Sequence, residues 1–440
     1  MKAIGRLLLV AISLTGFGPG AFAQGARAGD IVPGRYIVQL RDVASAAAVS
    51  QRHGLRPTHV YHRTIRGFAG EIPPGQLQRL QQDPDVLRIV PDRIVTAISD
   101  PIQAKKGKPG GGSSGQVVPA GVLRVGANTV WTLVTGRGVG VAVLDTGLDH
   151  GHADLNIGGT LYDPFDGDGQ DRNGHGTHVG GIIAAKNNTR DVVGVAPEAT
   201  LYSVRVLDNT GTGTDATIIG GLESLLTEEH RGLVRVANLS LGRPAAGDDD
   251  IPLHQAVQSV VAAGITVVVA AGNDCGREVN DLVPARFPEV IAVASTTATD
   301  GRANRRGVFI PADTASYFAT DGNWFDDHIG VTISAPGETR EDVNNANLIQ
   351  SVGILSTRLG GGTTSMSGSS MAAPHVAGAV ALLLQADPSL APEELRTVLI
   401  ATADRPGVAP LDSPTRCYTF DGFREGILNV PAALGAVLGP

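Results

Sequence analysis

From Gln116 onward the chain repeats one pattern: short apolar, β-branched runs, each closed by a polar or glycine-rich segment and followed by a helical pattern. GVGVAVLD ends at Asp145, ATLYSVRVL precedes a glycine-rich loop, LVRVANLSLG ends near Ser240, and GITVVVAAGN ends at Asn273. Strands that are apolar on both faces must be covered on both faces. The expected architecture is therefore α/β, three layers with a mainly parallel central sheet. Apolar residues make up 42% of the 440 and charged residues 18%, enough for a core of that size. In open parallel sheets, ligands bind at the carboxyl ends of the strands, which is where these polar residues fall.

The rest of the chain divides into shorter blocks. Residues 30–98 combine the strand-like GRYIVQLRD, GFAGEI and a helix-like QLQRLQQ with the apolar DVLRIVPDRIVTAI, a small α+β module. Residues 99–115 (SDPIQAKKGKPGGGSSG) have almost nothing to bury and read as a flexible linker open to proteolysis. The α/β domain then occupies 116–440. At the N-terminus, Lys2 and Arg6 precede an apolar run from Leu7 to Leu14, and Ala21-Phe22-Ala23 supplies small residues at a cleavage position. Residues 1–23 thus read as a signal peptide. The run falls short of the roughly 20 residues a spanning helix needs. The expected product is a secreted monomer, extracellular or periplasmic, with no membrane contact once the signal is removed. A net charge of −8 offers no basic stripe for nucleic acid. Two cysteines, Cys275 and Cys417, exclude a four-thiolate zinc site; one bridge is allowed after export, and two free thiols are equally compatible with the sequence.

Three segments carry chemistry. In VAVLDTGLDHGHADL, Asp145 closes a buried strand; by itself it is also a good turn-initiating aspartate. In NGHGTHVGGIIAA, glycines flank His175 and a helix follows, placing the imidazole in the first turn. His178, with His150 and His152, opens a metal-binding alternative, but zinc ligands three apart on a helix usually come with a carboxylate, absent here. In SMSGSSMAAPHVAGAVALLLQ an apolar helix starts behind four serines, Ser365, Ser367, Ser369 and Ser370, with Pro374 in an early-helix position. A serine at a helix start is assisted by the partial positive charge there; it is also an ordinary N-cap. Local physics does not choose among the four.

Together the segments resemble the subtilisin-like serine peptidases, whose chain order is Asp, His, Ser. DTGLDHGHADL, GHGTHVGGI and GSSMAAPHVAGAVALL match the three catalytic segments, and NLSLG (238–242) and AAGN (270–273) extend the match over roughly 116–435. The resemblance implies that Ser370 is the nucleophile, His175 its base and Asp145 the residue that fixes the imidazole tautomer. It implies that the Asn273 amide and the Ser370 N–H stabilise the oxyanion. It places substrate as an added strand between Ser240-Leu241-Gly242 and Gly211-Thr212-Gly213. The first specificity pocket lies between Ser240–Gly242 and Ala270-Ala271-Gly272, where small side chains leave room for a sizeable apolar residue. Ser369 stands where the family usually has threonine. Arg243-Pro244 stand where glycine is commoner, and residues 301–353 exceed the expected length.

The resemblance also implies structural calcium held by Gln116, Asp154 and Asn188 with the carbonyls of Lys186, Arg190 and Val192, and no organic cofactor. Residues 30–98 resemble the inhibitory pro-domain such peptidases carry, an intramolecular chaperone and inhibitor cut away in the linker. The expectation is a serine endopeptidase acting on protein and peptide substrates and made as a self-processing zymogen. Two rivals are a catalytically silent binding protein on the same fold and a metal-dependent hydrolase built on His150, His152, His175 and His178.

Overall fold

The structure, a computed structural model, describes residues 27–98, 115–322, 330–415 and 424–439. The expected signal peptide, nearly all of the linker and Cys417 lie outside the described residues.

The N-terminal module runs β1 (Ile31–Leu40), α1 (Ala46–Arg52), β2 (His59–Tyr61), β3 (Gly67–Glu71), α2 (Pro74–Leu80) and β4 (Val86–Ala97). Its strands pair antiparallel in the order β4-β1-β3-β2, and Val38, Leu40, Val49, Phe68, Ile72 and Leu80 fill a small core of its own.

In the larger domain the elements are α3 (Ala120–Arg124), β5 (Gly140–Asp145), β6 (Ile157–Tyr162), α4 (His175–Ala184), β7 (Thr200–Arg205), β8 (Thr212–Thr214), α5 (Asp215–Leu225), β9 (Val236–Leu239), β10 (Leu241–Pro244), α6 (Ile251–Ala262), β11 (Thr266–Ala270), β12 (Leu282–Val283), β13 (Ile291–Thr297), β14 (Ile333–Val343), β15 (Ile349–Thr357), β16 (Thr363–Met366), α7 (Ser369–Ala386), α8 (Pro392–Ala401) and α9 (Val430–Leu438). The central sheet has the order β16-β15-β14-β13-β11-β9-β5-β7-β6. It is parallel from β6 to β14 and antiparallel at the β14-β15-β16 edge.

The period of two in the strands divides the core. Val141, Val143, Val268 and Ala270 face α4 and α7, while Ala142, Leu144, Val267 and Val269 face α5 and α6. Each such aliphatic side chain contributes about 1.5–3 kcal/mol on burial. The three-layer α/β expectation holds. Helix α7 is apolar all round because it is buried on nearly every side.

Candidate active site

Asp145, Ser240 and Asn273 each sit at or just past the carboxyl end of a parallel strand (β5, β9, β11), so the sheet delivers them to one edge. His175 opens α4. Two glycines make that start possible: Gly174 adopts φ +108°, and a Cβ on Gly176 would come within 2.1 Å of the Gly147 carbonyl. Asp171, which the sequence reading passed over, secures the turn. Its carboxylate accepts the N–H groups of Asn173, Gly174 and Thr177 and the hydroxyls of Thr146 and Thr177 at 2.6–2.9 Å, satisfying donors that a helix start leaves open.

His175 is 3% exposed, and its Nδ1 lies 2.8 and 2.9 Å from the two carboxylate oxygens of the fully buried Asp145. Burial pulls the imidazole pKa down; the charge and hydrogen bond of Asp145, with Asp171 adding to them, outweigh it and hold the value above normal. Nε2 has no hydrogen-bond partner.

Ser370 lies in the first turn of α7. That helix starts at Ser369, earlier than the apolar pattern indicated, so Pro374 sits in the second turn and is not an early-helix proline. Having no N–H, Pro374 leaves the Ser370 carbonyl without its helical donor, and Ser240 Oγ donates to it instead at 3.0 Å. Ser369 is also more than a threonine substitute. Its N–H and Oγ–H both donate to Asn273 Oδ1, at 2.8 and 2.9 Å, and its Oγ accepts the Gly272 N–H at 3.1 Å. With Oδ1 so engaged, the Asn273 amide must present Nδ2 to the cleft.

The cleft is filled by the chain's own N-terminal module. β4 lies antiparallel between β8 and β10, pairing Val95 with Gly213, Thr96 with Thr212 and Gly242, and Ala97 with Leu241. The Ala97 N–H donates to the Gly211 carbonyl at 2.9 Å and the Ile98 N–H to the Ser240 carbonyl at 3.1 Å. These are the two edges proposed from sequence for substrate. The Ile98 carbonyl oxygen meets Asn273 Nδ2 at 3.4 Å and Ser370 Oγ; that hydroxyl also lies 3.0 Å from the Ser240 carbonyl oxygen. Ser370 Oγ is thus turned toward two carbonyl oxygens, with no hydrogen bond to His175 Nε2.

Arg243 does not disturb this edge. It is buried and turned onto Asp215 (2.9 and 2.7 Å) and Asp250 (2.8 Å). Side chains from other segments cover the glycines that the resemblance assigns to the first specificity pocket. Leu282 and Thr320 close over Gly272, where an added Cβ would stand 2.4 Å from Leu282 Cδ1 and 2.6 Å from Thr320 Oγ1, and Ile98 Cδ1 packs over Gly242.

Two carboxylates outside the predicted site hold the module in place. Glu223 of α5 accepts the backbone N–H groups of His62, Arg63 and Thr64 and the Thr64 hydroxyl, at 2.7–3.1 Å. Asp92 of β4 accepts the Ala216 N–H at the start of α5, and burial lifts its pKa to about 6.

Gln116, Asp154 and Asn188 do come together. Gln116 Nε2 lies 2.6 Å from the Lys186 carbonyl, 2.8 Å from that of Val192 and 3.4 Å from Asn188 Oδ1; Asn188 Nδ2 donates to Asp154 Oδ1 at 2.7 Å. A single amide nitrogen thus sits among three oxygens beside a carboxylate, the kind of donor set that suits a hard cation, while Gln116 Oε1 accepts the Asn188 N–H at 2.9 Å. Arg190 contributes its N–H to Asn188 Oδ1. His175 and His178 do not converge on a metal: the His178 Nε2 meets the Ile354 carbonyl, and burial lowers its pKa to about 3. Cys275 is disulfide-bonded, and Cys417 is the chain's other cysteine.

Fold and cleft are those of a serine peptidase closed by its own N-terminal module. Residues 136–419 match the subtilase family and residues 35–97 the peptidase inhibitor I9 family. The chain is similar to an alkaline protease of Alkalihalobacillus alcalophilus (36% identical over 372 residues, 84% of this chain and 80% of that protein). It is also similar to subtilisin Savinase of Lederbergia lenta (38% over 320 residues, 72% and 99%) and subtilisin E of Bacillus subtilis (32% over 411 residues, 91% and 90%). Among solved structures, a cold adapted subtilisin-like serine proteinase aligns with a TM-score of 0.51 at 30% identity, covering 68% of this chain and 90% of that one. The chain belongs to the subtilase family: it is a serine endopeptidase made as a zymogen.

Proposed function

We propose that this peptidase matures by cutting its own Ile98–Ser99 bond, with Ser370 as nucleophile, His175 as general base, Asp145 bracing the imidazole and Asn273 stabilising the oxyanion. One observation carries the reading: β4 is held as a strand between the two substrate edges, and it delivers the Ile98 carbonyl to Ser370 and Asn273. Rotation of the Ser370 hydroxyl toward the unpartnered His175 Nε2 starts the reaction. Nε2 takes the proton as Oγ adds to the Ile98 carbonyl carbon, and the oxyanion forms where Asn273 Nδ2 already donates. Nε2 then protonates the Ser99 amine, which leaves, and water hydrolyses the acyl-enzyme by the same steps. Protein substrates afterwards occupy the strand position that β4 vacates.

Ile98 and the cover supplied by Leu282 and Thr320 support a preference for medium aliphatic residues over large aromatic ones before the cut bond. The Gln116–Asp154–Asn188 cluster is proposed to hold a structural calcium ion, which would tie the start of the peptidase domain to the 186–192 loop. The signal-like residues 1–23 and the extracellular setting of a zymogen support export. Expression of the full chain tests the reading: N-terminal sequencing of the processed enzyme should begin at Ser99, and Ser370→Ala should leave the chain uncut and unlabelled by a serine-directed phosphonylating reagent. Processing in Ser370→Ala, or first cleavage at another bond, refutes it.

A further inference from the structure

Past Gly337, β14 forms a hairpin with β15, within the stretch whose length stood out in the sequence. Two glutamates on this arm, Glu338 and Glu341, are completely buried and close enough for each to influence the other's titration. The Tyr317 N–H donates to Glu341 Oε1 at 2.7 Å, and Ser351 Oγ meets Glu338 Oε1. The remaining oxygen of each, Oε2, has no donor. Two ionised carboxylates cannot bond to each other, because each only accepts. Two neighbouring carboxyls, each buried with one oxygen lacking a donor, do not both ionise at neutral pH, so one keeps its proton.

Among the described residues no Lys, Arg or His forms an ion pair with Glu338 or Glu341. From β13 comes Thr297, and from β15 Ser351; the 313–322 segment brings Ser316 and Tyr317, while its Asp313 is occupied by Arg124 and Arg405. On β14 itself Arg340 pairs with Asp342. The influences on Glu341 are burial, Glu338 and the Tyr317 N–H.

The pair is linked to the nucleophile turn. Ser351 Oγ lies 2.6 Å from Ser367 Oγ, three residues before Ser370, and the Gly368 N–H donates to the Gly337 carbonyl at 3.2 Å. Ser351 has one proton; giving it to Glu338, it must accept from Ser367. The chain of bonds then runs Ser367 to Ser351 to Glu338, with Glu341 beside it. We propose that Glu338 is a positioning residue: as a neutral acid buried beside Glu341 it anchors the Ser367–Ser370 turn through Ser351, and its ionisation in alkali releases that turn. This rests on Ser370 being the nucleophile.

Electrostatics agrees in direction. Burial, then the neighbouring Glu341, pushes Glu338 well above the ordinary carboxyl range, and burial raises Glu341. A carboxyl raised in the folded state contributes stability below its unfolded value that is lost as pH climbs through the folded one. The loss therefore falls on the alkaline side.

Glu338→Gln tests this in the processed enzyme, since its amide can donate to Glu341 and accept from Ser351 without titrating. With each profile scaled to its own value at pH 7, wild-type kcat/KM should fall below that of Glu338→Gln in alkali, by up to about tenfold per pH unit for a single proton. Glu338→Ala should lower kcat throughout, with Glu338→Gln restoring it. The infrared difference spectrum, wild type minus Glu338→Gln, should show a protonated-carboxyl C=O band at neutral pH. Superimposable alkaline limbs, or the absence of that band as for a cation held between two carboxylates, overturn the proposal. Failure of the nucleophile assignment is read separately, as activity surviving in Ser370→Ala.

Discussion

Glu223→Ala removes one carboxylate from the peptidase and four bonded donors from the docked pro-domain. The backbone N–H groups of His62, Arg63 and Thr64 and the Thr64 hydroxyl all converge on it, and it is 8% exposed. A hydrogen bond to a charged group contributes about 1.5–3 kcal/mol. Bonds sharing one acceptor do not add, so the analogous loss of one partner from a buried charged pair, about 3–5 kcal/mol, is the better guide. At 1.4 kcal/mol per factor of ten, docking should weaken by roughly two to three and a half orders of magnitude. Undocked, the three N–H groups regain water, so the penalty falls on the complex and not on either folded part. The assay is the lag before casein hydrolysis when zymogen matures, together with inhibition of mature enzyme by added pro-domain. Glu223→Ala should nearly abolish the lag and raise the inhibition constant at least a hundredfold, with Glu223→Gln in between. A lag and an inhibition constant within about twofold of wild type would refute the argument that this carboxylate anchors the module.

Other outcomes follow from neighbouring features. Asp92 has a pKa of about 6 when docked against an ordinary 3.8, so pro-domain affinity should be greatest below pH 4 and fall through pH 6, by up to about a hundredfold; Asp92→Asn should flatten the inhibition constant measured between pH 4 and 8. Leu282→Ala opens the space over Gly272 and should raise kcat/KM for peptides with Phe before the cut bond relative to Ile, by about tenfold on a chromogenic series. Chelator should lower the melting temperature, with activity lost slowly as unfolding proceeds and regained on adding calcium; immediate loss at full stability would contradict a purely structural ion.

The strands of the central sheet were legible because both their faces are buried. VAVLD and TVVVA are continuous apolar runs, and the residue that ends each sheet position had to be polar. Asp145 and His175 could be named as candidates because their motifs are local in sequence, and Ser370 only through the resemblance of its segment to the subtilisin-like peptidases. The order in which Ser369 and Ser370 divide their work was not: Ser369 bonds to Asn273 and Ser370 does not, a distinction made only when β11 packs against the start of α7. Leu282, Glu223, Asp92 and Asp171 went unnoticed for the same reason. Leu282 reads as one more apolar residue until its strand folds over Gly272, and Glu223 as an odd acid in an apolar helix until the 62–64 backbone reaches it. Arg243 was visible as an anomaly, but its carboxylate partners, Asp215 and Asp250, were not.

Ile98 and Gln116 are seated at the same time, one against Ser370 and the other among the oxygens of Lys186, Asn188 and Val192. Residues 99–115 between them are long enough, at about 3.3–3.6 Å per extended residue, to reach more than 50 Å. With Gln116 already berthed in the uncut chain, the proposed cut after Ile98 would ask for departure of the pro-domain without migration of Gln116.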